Sequence, residues 1–67
     1  MSKFPLRLKE LRQAQGKSIK DFAQEFNVTE RSVQRWETGE HVPDIETIIS
    51  IAKFFGETTN YLLGVVE

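Results

Sequence analysis

Sixty-seven residues allow one domain, 39% apolar and 28% charged composition is that of a globular chain, and the absence of cysteine excludes disulfides and thiolate metal sites. A core this small supplies only about 3 to 5 kcal/mol, so stability must come from helix packing. The formal net charge of −1 gives no sign of a polyanionic partner, but its distribution does: residues 1 to 35 hold eight Lys/Arg against four Asp/Glu, and residues 36 to 67 hold one against six.

Stop and start signals divide the chain into five helices with no strand pattern between them. Pro5 suits a first turn, where its missing N–H would be unpaired anyway, and Phe4, Leu8, Leu11 and Gln15 follow at helical spacing up to Gly16. The first helix is expected over about residues 5 to 15. Ser18 caps the second, with Asp21 three residues on, and Ile19, Phe22, Ala23 and Phe26 form its apolar stripe until Asn27 ends it. Thr29 opens a third helix that turns Val33 and Trp36 inward and stops at Thr38-Gly39. After a loop through His41 and Pro43, Asp44 caps a fourth, in which Ile45, Ile48, Ile49, Ala52 and Phe55 are expected on the buried face before Gly56. Thr58 caps a short last helix, Thr59 to Leu63, ended by Gly64. Short connections make consecutive helices neighbours, so the fold class is all-α: a compact five-helix bundle forming a single domain over residues 1–67.

Only Asn27-Val28-Thr29 separates the second and third helices, which forces a steep crossing, and the small Ala23 lets the backbones approach there. On a wheel of 100° per residue the third helix buries the direction between Val33 and Trp36, leaving Arg31, Gln34 and Arg35 on the opposite side with Glu30 beside them. Guanidinium and carboxamide groups are the donors that read guanine O6/N7 and adenine N6/N7 in a major groove. The alternative for such a face is an ordinary solvated helix surface.

The run Leu8-Lys9-Glu10-Leu11-Arg12, Gly16-Lys17-Ser18, Phe22-Ala23, Asn27-Val28-Thr29 and Val33-Gln34-Arg35-Trp36-Glu37-Thr38-Gly39-Glu40 with Pro43 resembles the lambda-repressor-like, Cro-type helix-turn-helix family. The likeness spans residues 6 to 64 and includes Ile48-Ile49-Ser50-Ile51-Ala52-Lys53 and Thr58-Thr59-Asn60-Tyr61-Leu62-Leu63-Gly64. It implies that the second and third helices form the helix-turn-helix and that residues 30–37 are the recognition helix. Glu30, Arg31, Gln34 and Arg35 would then contact bases, and Ser18, Lys20, Thr29, Ser32, Gly39 and His41 would contact the DNA backbone. Arg12 and Glu37 match a family ion pair that orients this helix. Two features depart from the pattern. Ile19 stands where the family often has a phosphate-binding glutamine, and Glu40, Val42 and Asp44 occupy a loop that frequently carries basic residues.

Several residues have plainer readings. Trp36, Phe22, Phe26 and Phe55 belong to the core, and Ser18 with Asp21 is a helix cap rather than a catalytic pair. His41 is a solvated loop residue without metal-ligating neighbours, and Lys3, Arg7 and Lys9 are expected on the solvated surface. Phe54 falls nearly opposite the expected stripe of the fourth helix, so Phe54, Val65 and Val66 are expected to form an apolar patch where a homodimer closes. The resulting expectation is a sequence-specific DNA-binding transcriptional regulator, a repressor binding double-stranded DNA at a pseudo-palindromic operator as a homodimer. It would work in the cytoplasm, without cofactor, metal, membrane or enzymatic chemistry. A protein-interaction or antitoxin-type module on the same fold, with a protein or toxin partner, is the competing expectation, because Glu30 sits at the reading tip and the net charge is slightly negative.

Overall fold

Each of the four later helices begins at a residue whose side-chain oxygen accepts the backbone N–H three positions on: Ser18 from Asp21 at 3.0 Å, Thr29 from Ser32 at 3.1 Å, Asp44 from Thr47 at 2.9 Å and Thr58 from Tyr61 at 3.0 Å. The computed structural model describes residues 2–65, and there the order is α1 (Phe4–Ala14), α2 (Ile19–Glu25), α3 (Glu30–Thr38), α4 (Ile45–Phe55) and α5 (Thr59–Leu63), with no strand among the described residues. The first helix has no side-chain cap at Lys3; Pro5 occupies its first turn, and the Phe4 N–H donates to Ser2 Oγ at 2.9 Å. Asn27 takes a left-handed φ of 55° at the end of α2, the role its short polar side chain equips it for.

The core comprises Phe4 and Leu8 of α1, Phe22 and Ala23 of α2, Val33 and Trp36 of α3, Ile48, Ile51 and Ala52 of α4, and Leu62 of α5. The first helix packs against both α3 and α5, while α2 packs on α3 and α4 on α5. The chain closes on itself where the Lys3 N–H donates to Leu63 O at 3.2 Å. A Cβ on Gly64 would lie 2.8 Å from Lys3 Cγ, so Gly64 serves both the left-handed turn, at φ 81°, and this close approach.

The fourth helix differs from its sequence reading. Ile45 and Ile49 are 59% and 39% exposed, whereas Ile51 is fully buried, so the inward row is Ile48, Ile51, Ala52 and Phe55. Both rows have the spacing of one helical face, and the choice is made by what α4 packs against. An aromatic cluster from α2 and α4 pulls the C-terminal half inward: the Phe22 ring stacks on Phe55 with centroids 5.6 Å apart, and Phe54 meets Phe26 edge-on at 5.4 Å.

Arg7 also departs from expectation. It is buried rather than solvated, with Nη1 donating to the Tyr61 carbonyl and the guanidinium 4.2 Å from the centroid of the Tyr61 ring. This side chain ties α1 to α5 through a partner that lies 54 residues away in sequence.

Candidate nucleic-acid interface

Residues 26–29 join α2 to α3, and the Val28 N–H donates back to the Ala23 carbonyl at 3.0 Å, which closes the turn over the small residue. Thr29 then sits in extended conformation and caps α3, with its Oγ1 2.9 Å from Ser32 Oγ. The geometry fixes where α3 starts and which way it faces. Val33 is fully buried and Trp36 is 5% exposed, so the helix is pinned from beneath; Glu30, Arg31 and Gln34 lie on the solvent side. Arg35 is half-buried on the flank of the same face. Arg31, Gln34, Arg35, Thr38 and Glu40 line one shallow concavity, so three of the four expected base-reading residues share a surface, with Glu30 exposed one turn earlier.

The far end of α3 is fixed by the expected ion pair. Arg12 Nε donates to Glu37 Oε2 at 2.6 Å and Nη2 donates to Oε1 at 3.0 Å, a bidentate contact between side chains only 9% and 6% exposed. Arg12 Nη1 donates to the Lys17 carbonyl at 2.8 Å, so one guanidinium links α1, the start of the α2 region and α3. The hydrogen bond to Glu37 raises the Arg12 pKa above its ordinary value, although burial works in the opposite direction. Among the described residues no buried side-chain nitrogen or oxygen is left without a hydrogen-bond partner.

Of the residues expected at the DNA backbone, Ser18, Lys20, Thr29, Gly39 and His41 are exposed and Ser32 is half-buried. Ser18 and Thr29 spend one acceptor on their caps, and the His41 N–H donates to the Arg35 carbonyl at 3.2 Å. Ile19 is partly buried against the core, where the family's glutamine would be polar; with Lys9, Arg12, Gln34, Glu37 and Thr38 it lines a groove between α1 and α3. Of the expected dimer patch, Phe54 and Val65 lie among the described residues. Phe54 is half-buried in the aromatic cluster, with Lys17 Nζ 5.6 Å from its ring centroid, because α4 is rotated to put Ile51 inward. Val65 is 67% exposed, and Val66 lies outside the described residues. Leu6, Val42, Ile45 and Ile49 are the other exposed large apolar residues among those described.

The sequence reading overlooked Glu40 as a partner of this face. Its Oε2 lies 3.5 Å from Arg35 Nε. The signal was available in the five-residue separation across a glycine cap, which folds residue 40 back toward residue 35. No group of three or more His, Cys, Asp or Glu among the described residues is arranged to hold a metal ion, and no helix is long and apolar enough to cross a membrane.

A tight turn between two short helices, the second anchored by its apolar face and presenting Arg and Gln outward, defines a helix-turn-helix domain of the DNA-binding type. The family model described as "Helix-turn-helix" matches residues 8–62, and the chain belongs to this family, in its lambda-repressor-like form. The chain is 33% identical over 58 residues to the HTH-type transcriptional regulator ImmR of Bacillus subtilis (strain 168), an alignment covering 87% of this chain and 46% of that protein. Among solved structures it is similar to ComR from S. thermophilus in complex with DNA and its signalling peptide ComS, with a TM-score of 0.78 and 29% identity over 96% of this chain and 22% of that one. The chain thus spans less than half the length of either protein.

Proposed function

We propose that this chain is a sequence-specific DNA-binding module of transcriptional regulation, with α3 lying in the major groove of double-stranded DNA. The observation that carries the reading is the outward Arg31–Gln34–Arg35 face on a helix whose opposite side is held by buried Val33 and Trp36. In this reading Arg31 and Arg35 donate to guanine O6/N7, Gln34 to adenine N7 while accepting from N6, and Glu30 accepts from cytosine N4 or excludes sites that would bring it against phosphate. Ser18, Lys20, Thr29, Ser32, Gly39 and His41 hold the sugar–phosphate backbone and set the register. The Arg12–Glu37 pair keeps α3 at a fixed angle to α1, so that a few side chains meet the same base pairs in every encounter.

One short helix contacts few base pairs, and useful specificity therefore calls for two copies of the module on one DNA face, about 34 Å apart, at a pseudo-palindromic operator. Occupying such an operator in the cytoplasm would repress by excluding polymerase. Among the described residues, Val65 of the expected patch is exposed, and Leu6, Val42, Ile45 and Ile49 add exposed apolar surface for a second copy to cover. The similarity to a protein solved in complex with DNA supports the groove-reading role.

Selection of bound duplexes from a random-sequence pool tests the proposal. It is expected to return a short motif repeated with dyad symmetry at a spacing near one helical turn, with an affinity that falls linearly in log Kd against log salt. Recovery of unenriched sequence together with salt-independent binding to a protein partner would favour the interaction-module alternative instead.

A further inference from the structure

Among the described residues, Arg35 is the one member of the reading face with an anionic partner, and the C-terminal turn of α3 is built around it. Gly39 adopts φ 82° and reverses the chain; its N–H donates to Trp36 O at 3.4 Å. The Arg35 carbonyl then accepts from both Thr38 Oγ1 at 3.2 Å and the His41 N–H at 3.2 Å, while the Glu40 N–H donates to Thr38 Oγ1 at 3.4 Å. This network places Glu40 beside the residue one turn back, with Oε2 3.5 Å from Arg35 Nε and the two side chains 40% and 66% exposed.

We infer that Glu40 is a specificity-determining positioning residue: it holds the Nε flank of Arg35, leaves the Nη1–Nη2 end for bidentate donation to one base, and weakens binding to DNA in general. The inference rests on the proposed DNA-binding role of α3. A guanidinium has a fixed fork of five N–H donors, so a carboxylate drawn to its Nε side biases which pair faces outward to meet a base edge. The same carboxylate stands in the concavity shared with Arg31 and Gln34, where it repels any phosphate that approaches without the compensating base contact. A surface ion pair of this kind is weak, which suits the role, because the cost is felt at mismatched sites without blocking binding at matched ones. Charge and orientation are separable. Glutamine at this position removes the charge and retains an acceptor, whereas alanine removes both.

The test uses the chain with Glu40→Gln, Glu40→Ala and Arg35→Ala, each first checked by thermal unfolding for an intact fold. Fluorescence anisotropy is measured on a duplex selected by the unmodified chain, on its single-base-pair variants and on a random-sequence duplex. Arg35→Ala is expected to erase discrimination at one base pair, which identifies the position Arg35 reads. Both Glu40 variants are expected to bind random duplex about two- to threefold tighter, a gain that shrinks with added salt. Glu40→Ala is expected to lose about two- to fivefold in discrimination at the Arg35 base pair alone, and Glu40→Gln less. If both variants tighten binding to every duplex by one common factor, Glu40 is bulk charge only and the inference is overturned, while the DNA-binding reading stands. If the unmodified chain binds no duplex, the function itself fails, and the inference with it.

Discussion

Removing Glu37 should cost this protein most of its stability, and the size of the effect follows from what is left behind. The Arg12 and Glu37 side chains are 9% and 6% exposed, and two of the three hydrogen bonds that the Arg12 guanidinium makes go to Glu37. In Glu37→Ala the guanidinium keeps the Lys17 carbonyl and loses its counter-charge in a site that water reaches poorly. Breaking one side of a buried pair costs about 3 to 5 kcal/mol, and the surviving bond argues for the lower end. Against a total of about 3 to 5 kcal/mol for a domain of this length, the variant should be folded only marginally. Urea unfolding followed by circular dichroism reads this directly: with a slope of about 1 kcal/mol/M, the midpoint should drop by about 3 M and the native baseline should largely disappear. Replacing both partners, as Arg12→Met with Glu37→Met, should regain at least half of the loss, since the cost lies mainly in the orphaned charge. A loss below about 1 kcal/mol in Glu37→Ala would place the pair among ordinary exposed ones and refute the reasoning.

Other outcomes follow from the same geometry. Arg31→Ala should cost about 1 to 3 kcal/mol at a single base position, whereas Lys20→Ala should weaken all sequences alike and lower the salt slope by about 1; an unchanged sequence preference in Arg31→Ala counts against its assigned role. Phe54→Ala should cost about 2 kcal/mol without altering the sedimentation of the free chain, because its ring belongs to the aromatic cluster; a change of oligomeric state with stability intact would return it to an interface. Asp44 is held below the ordinary carboxylate range by hydrogen bonding from the Thr47 side chain and, secondarily, from the Thr47 N–H. A depressed carboxyl pKa contributes stability that is present above its unfolded value of about 3.9 and is lost as pH falls through the lower folded value. The melting temperature should therefore fall on acidification more in the unmodified chain than in Asp44→Asn, which caps without titrating, and parallel curves from pH 6 to pH 3 would show that Asp44 plays no such part.

The features that were legible in the sequence are those decided within a few residues. Ser18, Thr29, Asp44 and Thr58 cap helices because each needs only an N–H three positions away, and Asn27 and Gly39 stop helices through their own backbone preferences. The outward set Arg31 and Gln34 followed from the angle between Val33 and Trp36, with Arg35 displaced toward the flank. What escaped depended on distant partners. Arg7 reads as a surface cation until Tyr61 arrives from the other end of the chain. Periodicity in α4 permits either isoleucine row, and the one containing Ile51 is the row that lets Phe54 and Phe55 meet the rings of Phe22 on α2 and Phe26 just beyond it. The Arg35–Glu40 contact needed the reversal at Gly39, a three-dimensional consequence of a residue recognised only as a terminator.

The reading face is tested most directly by methylation interference at guanine N7, an atom exposed only in the major groove, using a duplex recovered by selection. Methylation of particular guanines in each half-site should abolish binding, and in Arg31→Ala at least one of those positions should become indifferent to it. An interference pattern identical in the two proteins, or none at any guanine N7 while minor-groove modification blocks binding, would contradict the claim that the third helix reads DNA with its outward Arg and Gln side chains.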